Sequence, residues 1–218
     1  MKLQAIPRLL INALFPQHCL GCKRLDVELC ANCLRSIIDP EVLSADSQIQ
    51  LLTLGRYTTP LLQRAIKQLK FHGQHSIGKP LGEALAATIA KERVIENPDN
   101  TLVLPIPLHK KRMQERGYNQ AACIAQPIAS LLGIEYTDTI LARAVSTHRH
   151  ADMEHAERWK HIRGAFSLRP GAEQQIEGKH MLLVDDVVTT GATALEAAHL
   201  LLSQGAKRIT ICAITRSQ

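Results

Sequence analysis

Aromatic residues make up only 3% of this sequence: three Phe, three Tyr and one Trp. A surface that stacks single-stranded bases has few platforms to draw on here, so nucleic-acid binding of that kind would rest mostly on charge. No run of eighteen or more apolar residues occurs, so the sequence contains no membrane-spanning helix. Repeats and low-complexity tracts are absent. Between Met1 and Phe15, Lys2 and Arg8 precede an apolar stretch. Asn12 interrupts it and no small-residue cleavage pattern follows, which argues against a secretory leader. Leu3, Ile6, Leu10, Ala13 and Leu14 instead fall at helical spacing with Pro7 in the first turn, predicting a short amphipathic helix.

What is present describes a globular chain. Its 218 residues are 45% hydrophobic and 21% charged, enough for one ordinary domain and a small accessory one. The net charge of +6 favours an anionic partner, which a phosphorylated metabolite satisfies as well as a nucleic acid does.

Four of the six cysteines form two C-x2-C pairs, Cys19 with Cys22 and Cys30 with Cys33. Each pair can set two thiolates on one side of a tight turn, and two such knuckles complete the tetrahedral shell of a structural Zn2+. An iron–sulfur cluster is the alternative for the same ligands. Disulfides would need a secretory signal, and a redox C-x-x-C would need one pair rather than two in tandem. Cys123 and Cys212 stand alone in apolar segments and read as buried small hydrophobes.

Beyond the cysteines, the polar stretch from Asp39 to Gln48 marks a boundary. It divides an N-terminal helix and zinc module, residues 1–45, from a larger domain, residues 46–218. Strand candidates are Ile49 to Tyr57, Thr101 to Leu104, Met181 to Val184 and Arg208 to Thr215. Helix candidates are Leu61 to Phe71, Ile77 to Val94, Asn119 to Leu132 (with Pro127 as a candidate break) and Ala192 to Gln204. Leu141 to Ala144 starts a further element. The alternation predicts an α/β fold with a parallel sheet covered on both faces.

The chemistry concentrates in Met181 to Thr193, where an apolar strand leads to Asp185 and Asp186 and then to Thr189-Thr190-Gly191-Ala192-Thr193 opening a helix. Backbone N–H groups at the helix start and three threonine hydroxyls suit a phosphate, and Gly191 lets the backbone approach it. Two carboxylates facing that phosphate would repel it, so the acid pair is expected on sugar hydroxyls, which donate to it. A helix start capped by threonines explains the turn alone, but not the whole ordered string.

The string resembles the phosphoribosyl pyrophosphate signature of type I phosphoribosyltransferases. Together with the two cysteine knuckles it is similar to the ComF family, linked to natural competence. Val103 to His109, Arg112, the segment Arg116-Gly117-Tyr118-Asn119-Gln120, and Leu69-Lys70-Phe71-His72-Gly73 match that family's other motifs. Leu141, Arg143, Thr147, Arg158 and Gly164 to Phe166 match its flexible loop, with His150, Met153 and His161 as departures. The resemblance implies a type I phosphoribosyltransferase-like sheet with flanking helices. It implies ribose contacts from Asp185 and Asp186, and 5-phosphate contacts from Thr189, Thr190, Gly191, Ala192 and Thr193. His109, Lys110, Lys111, Arg112 and Arg116 would lie near the pyrophosphate, with Mg2+ bridging ligand oxygens. It assigns no catalytic residue.

Between His109 and Arg163 lie nine cations and four histidines, a candidate phosphate-contacting surface or an exposed loop balanced by Asp152, Glu154 and Glu157. Two functions follow from the resemblance. One is a competence protein for DNA uptake that binds phosphoribosyl pyrophosphate and single-stranded DNA and works with the uptake machinery. It would sit in the cytoplasm, with the periphery of the inner membrane as the alternative. The other is an active phosphoribosyltransferase, a glycosyltransferase of nucleotide or cofactor metabolism without a DNA role. The acceptor and the oligomeric state are left open.

Overall fold

The computed structural model describes residues 17–143 and 164–217. The amphipathic helix expected before Phe15 and most of the histidine-rich stretch lie outside the described residues.

The order of elements is α1 (Ala31–Arg35), β1 (Glu41–Ser44), β2 (Ile49–Thr53), α2 (Pro60–Phe71), α3 (Gly78–Lys91) and β3 (Thr101–Pro105). Next come α4 (Lys110–Arg116), α5 (Gln120–Leu132), β4 (Glu135–Tyr136), β5 (Leu141–Arg143), β6 (Phe166–Leu168) and α6 (Glu173–Ile176). The final three are β7 (His180–Val188), α7 (Ala192–Ser203) and β8 (Arg208–Arg216).

Six strands form one sheet in the order β1-β2-β8-β7-β3-β4. All neighbours run parallel except β1 on β2. The central strands are apolar on both sides because both faces are covered, and their alternation divides the core in two. Leu182, Val184, Cys212, Ile214 and Val103 pack under α2, α3 and α5. Met181, Leu183, Ile209, Ile211, Leu102 and Leu104 pack under α6, α7 and the antiparallel pair β5–β6. The expected α/β architecture is present.

Several boundaries differ from those the sequence predicts. β2 ends at Thr53 rather than Tyr57, and the polar stretch after Asp39 contains an edge strand, β1. β7 continues four residues past its apolar run, because β8 keeps pairing with it through Val188↔Arg216. Pro127 sits inside α5 without ending it. Leu29 and Leu34, from the cysteine-bearing segment, share one core with α2 and α3, and residues 45 and 46 fall between the paired strands β1 and β2. Cys212 is fully buried, which pushes its thiol up to about 12, while Cys123 is only half-buried.

Helices α3 and α5 approach closely at Gly78 and Gly82, one turn apart. A methyl group on Gly82 would lie 2.3 Å from the carbonyl oxygen of Ile124, and one on Gly78 would lie 2.5 Å from the Cys123 Cβ. Gly82→Ala is therefore expected to lower stability by roughly 1–3 kcal/mol through overpacking. Alanine's better helix propensity, worth about 1 kcal/mol, offsets part of that. Urea denaturation reads the difference, and an unchanged midpoint would show that the helices can separate at no cost.

Candidate functional site

The site lies where β7 and β3 end side by side. Ile106 N–H donates to the Val184 carbonyl at 2.8 Å, so the loop after β3 begins beside the acid pair. Because Asp185 and Asp186 are both inside β7, strand alternation turns them toward opposite faces of the sheet. Asp186, 2% exposed, points to the α2 side. There its Oδ1 meets Lys70 Nζ at 2.9 Å, while Oδ2 is buried without a hydrogen-bond partner among the described residues. Asp185 is half-buried, and one of its oxygens accepts the Asp186 N–H at 2.8 Å. Burial first and the Asp186 charge second push the Asp185 carboxyl up to about 7, against the opposing pull of Lys70. Arg143 of β5 lies within electrostatic reach of Asp185 and of Arg112, and its guanidinium sits 5.3 Å from the Phe166 ring. Burial leads in lowering the Arg143 pKa.

After Val188 the chain turns through exposed Thr189 and half-buried Thr190 into α7. Gly191 holds φ +75° at the helix N-cap, a left-handed conformation that favours glycine. Among the described residues no side chain caps α7 in the way a serine or aspartate would, and the Ala192 N–H reaches Thr190 Oγ1 only at a long 3.4 Å. The first turn of this twelve-residue helix therefore offers N–H donors to an anion. Thr193 is half-buried in that turn and Ala192 is buried beneath it. A cavity of about 250 Å³ flanks Thr189 to Gly191 on the β1–β2 side, walled by Leu43, Ile49, Leu51 and Leu195.

The basic residues after β3 separate into two groups. His109 caps α4, its Nδ1 accepting the Lys111 N–H at 3.3 Å, and Lys110, Lys111 and Arg112 are exposed beside it. Arg116 donates to Gln120 and lies over the Phe71 ring at 5.8 Å from its centroid. Its segment acts as a clamp. Asn119 donates to the Ile106 carbonyl at 3.0 Å and caps α5, while the Tyr118 hydroxyl donates to the Leu69 carbonyl.

The four cysteines converge elsewhere, at the outer side of α2 and α3. Their sulfurs all lie within 4.8 Å of one another, and Cys22 and Cys30 are 3.7 Å apart. A tetrahedron with Zn–S bonds of about 2.3 Å has edges of roughly 3.8 Å, so this separation fits zinc. Protonation also favours a cation. Although burial opposes it, N–H groups of Cys30, Cys22 and Gly21 bring the Cys19 thiol down to about 6. Sulfur contacts with Cys30 and Cys22 drive Cys33 up to about 12. Sulfurs this close cannot all ionise unaided, and a dication removes the conflict. Gly21 is required by proximity, since a Cβ there would stand 2.6 Å from the Cys33 sulfur.

The family model for the phosphoribosyl transferase domain matches residues 119–217, which include the acid pair and the threonine turn. DNA utilization protein YhgH of Salmonella typhimurium is 32% identical over 171 residues, covering 77% of this chain and 72% of that protein. The chain belongs to the ComF family. Other relatives agree. Competence protein F of Haemophilus influenzae is 28% identical over 203 residues, 92% of this chain and 83% of that one. Competence protein ComFC of Bacillus subtilis is 29% identical over 146 residues, 66% of this chain and 55% of that one. As a ComF member the chain has a type I phosphoribosyltransferase-like fold, with a four-cysteine cluster that fits a zinc module.

Sequence reasoning passed over Lys70 as a site residue, although its motif was visible; the signal would have been a cation one residue beyond the buried Leu69. In this ComF chain, Lys70→Met should lower stability by roughly 3–5 kcal/mol, the cost of an uncompensated buried charge. Combining it with Asp186→Asn should recover most of that loss in chemical denaturation, and a double variant no better than Lys70→Met would refute the pairing. For the cysteine cluster, the purified chain should carry one zinc per molecule by atomic emission. Cys33→Ser should abolish zinc binding and loosen Leu29 and Leu34, each worth roughly 1.5–3 kcal/mol of burial, so thermal unfolding should begin earlier. Full zinc content in that variant would contradict the assignment.

Proposed function

We propose that this protein binds 5-phosphoribosyl pyrophosphate with Mg2+ and single-stranded DNA, and serves DNA uptake in competence. The observation that carries the sugar-phosphate half is the uncapped first turn of α7 next to a half-exposed Asp185. The 5-phosphate takes the N–H groups and hydroxyls from Thr189 to Thr193. Asp185 accepts from ribose hydroxyls, with Asp186 behind it, and the loop from Pro107 to Lys111 faces the pyrophosphate with Arg112 near. Mg2+ arrives with the ligand and shields its pyrophosphate charge. Residues 46–218 carry this site, and residues 1–45 act as its supporting module. The names of the relatives, DNA utilization protein and competence proteins, support the DNA half. The net charge of +6 supports it too.

Turnover is the second reading, favoured by the match to a transferase domain. In that case the residues above position the leaving pyrophosphate and stabilise its charge, and adding the acceptor base releases pyrophosphate.

Calorimetry with phosphoribosyl pyrophosphate and Mg2+ tests the proposal. Hydroxyl groups donate better to an ionised carboxylate, and the Asp185 carboxyl is raised rather than lowered. Affinity should therefore be weak at acidic pH and strengthen as pH rises through about 7. Asp185→Asn should weaken binding and remove that part of the pH dependence. Absence of heat with the wild-type chain, or an unaltered pH profile in the variant, would sink the sugar-phosphate reading.

A further inference from the structure

We infer that the exposed face of α2, centred on Phe71, is the platform on which a single strand of nucleic acid stacks and is held by charge. This rests on the DNA half of the proposed function and gives it an address apart from the histidine-rich stretch.

The buried face of α2 is filled by Leu61, Leu62, Ala65, Ile66 and Leu69. Its opposite face carries Arg64, Lys67 and Phe71, spaced i, i+3 and i+7, and all three are exposed. Phe71 leaves 64% of its surface in water, an unusual state for a phenylalanine in a chain so poor in aromatics. The Arg116 guanidinium lies over the ring 5.8 Å from its centroid, and at that separation most of the ring's surface stays in water. Tyr118 ties the backbone beneath it through Leu69, so the ring stands on a fixed support.

Charge decides the kind of partner. No aspartate or glutamate occurs between Asp46 and Glu83, whereas Arg56, Arg64, Lys67, Lys70 and Lys79 all do. Three of these are occupied: Arg56 by Glu41, Lys70 by Asp186 and Lys79 by Glu83. Arg64 and Lys67 form no ion pair with a described residue, and they line the same helix face two turns and one turn before the exposed ring. An aromatic face beside cations suits unpaired bases strung on phosphates, because every base can stack while the backbone follows the charge. A duplex hides its base faces and would gain only the charge term.

Anisotropy of a labelled oligothymidine of roughly 15 nucleotides with the full chain, read over a salt series, tests this. Phe71→Ala should weaken binding roughly 5- to 100-fold with the salt slope unchanged, and Phe71→Tyr should restore it. Replacing Arg64 and Lys67 together with alanine should lower the slope by roughly 0.7 for each phosphate that is no longer neutralised. The thermal midpoint of Phe71→Ala should equal that of wild type, excluding unfolding as the cause. If wild type binds and Phe71→Ala binds equally well, the platform is overturned and the DNA reading stands. If wild type binds no oligothymidine at any salt, the DNA reading falls as well. Displacement of the oligonucleotide by polyglutamate of equal charge would overturn the inference in favour of an acidic protein partner.

Discussion

A carboxylate buried against a sheet needs a counter-charge, and Asp186 has one in Lys70. Both members lose most of their hydration, so the pair contributes little net stability over an apolar substitute, yet either one alone would be costly. What the pair does fix is position. It pins the last turn of α2 to the carboxyl end of β7, where the threonine turn begins. It also commits Asp186 to the α2 side of the sheet, leaving its neighbour as the half-exposed carboxyl of the site. Adjacent identical residues thus acquire different environments from strand alternation together with a lysine on one face.

The cysteine module depends on a similar need for compensation. Four sulfurs crowd together because the knuckles and the closeness of Gly21 leave them no room to spread. Leu29 and Leu34 from the same segment sit in the core shared by α2 and α3, and the buried Glu28 accepts the Ser76 hydroxyl. A metal bound there stabilises more than its own loop, since the helix bearing Lys70 forms the other wall of that core.

Much of this architecture could be read from the residues. Apolar runs such as Met181 to Val184 and turn glycines such as Gly191 and Gly133 reported local conformation directly, so the central strands and the long helices were legible. The two knuckles announced their cluster by spacing. The limits of β7 were not legible, because its final residues are held by pairing to β8 rather than by hydrophobicity. β1 was hidden for a related reason: as an exposed edge strand it needs neither an apolar pattern nor length. The division of labour between Asp185 and Asp186 escaped because it depends on a lysine more than a hundred positions away. The clamp made by Tyr118 and Asn119 joins parts of the chain that no periodicity connects.

Three consecutive residues at the end of α2 serve three different partners: the Leu69 carbonyl receives Tyr118, Lys70 meets Asp186, and Phe71 lies beside Arg116. Successive positions on an α-helix are turned by about 100° from one another, so these partners surround the helix end like bearings on a shaft. Adding or deleting one residue between Pro60 and Leu69 would turn all three relative to the buried face of the helix. Lengthening the loop between Ser44 and Ile49 would disturb none of them. Homologues can therefore differ in size at the sheet edge, but the span of this helix is a fixed ruler.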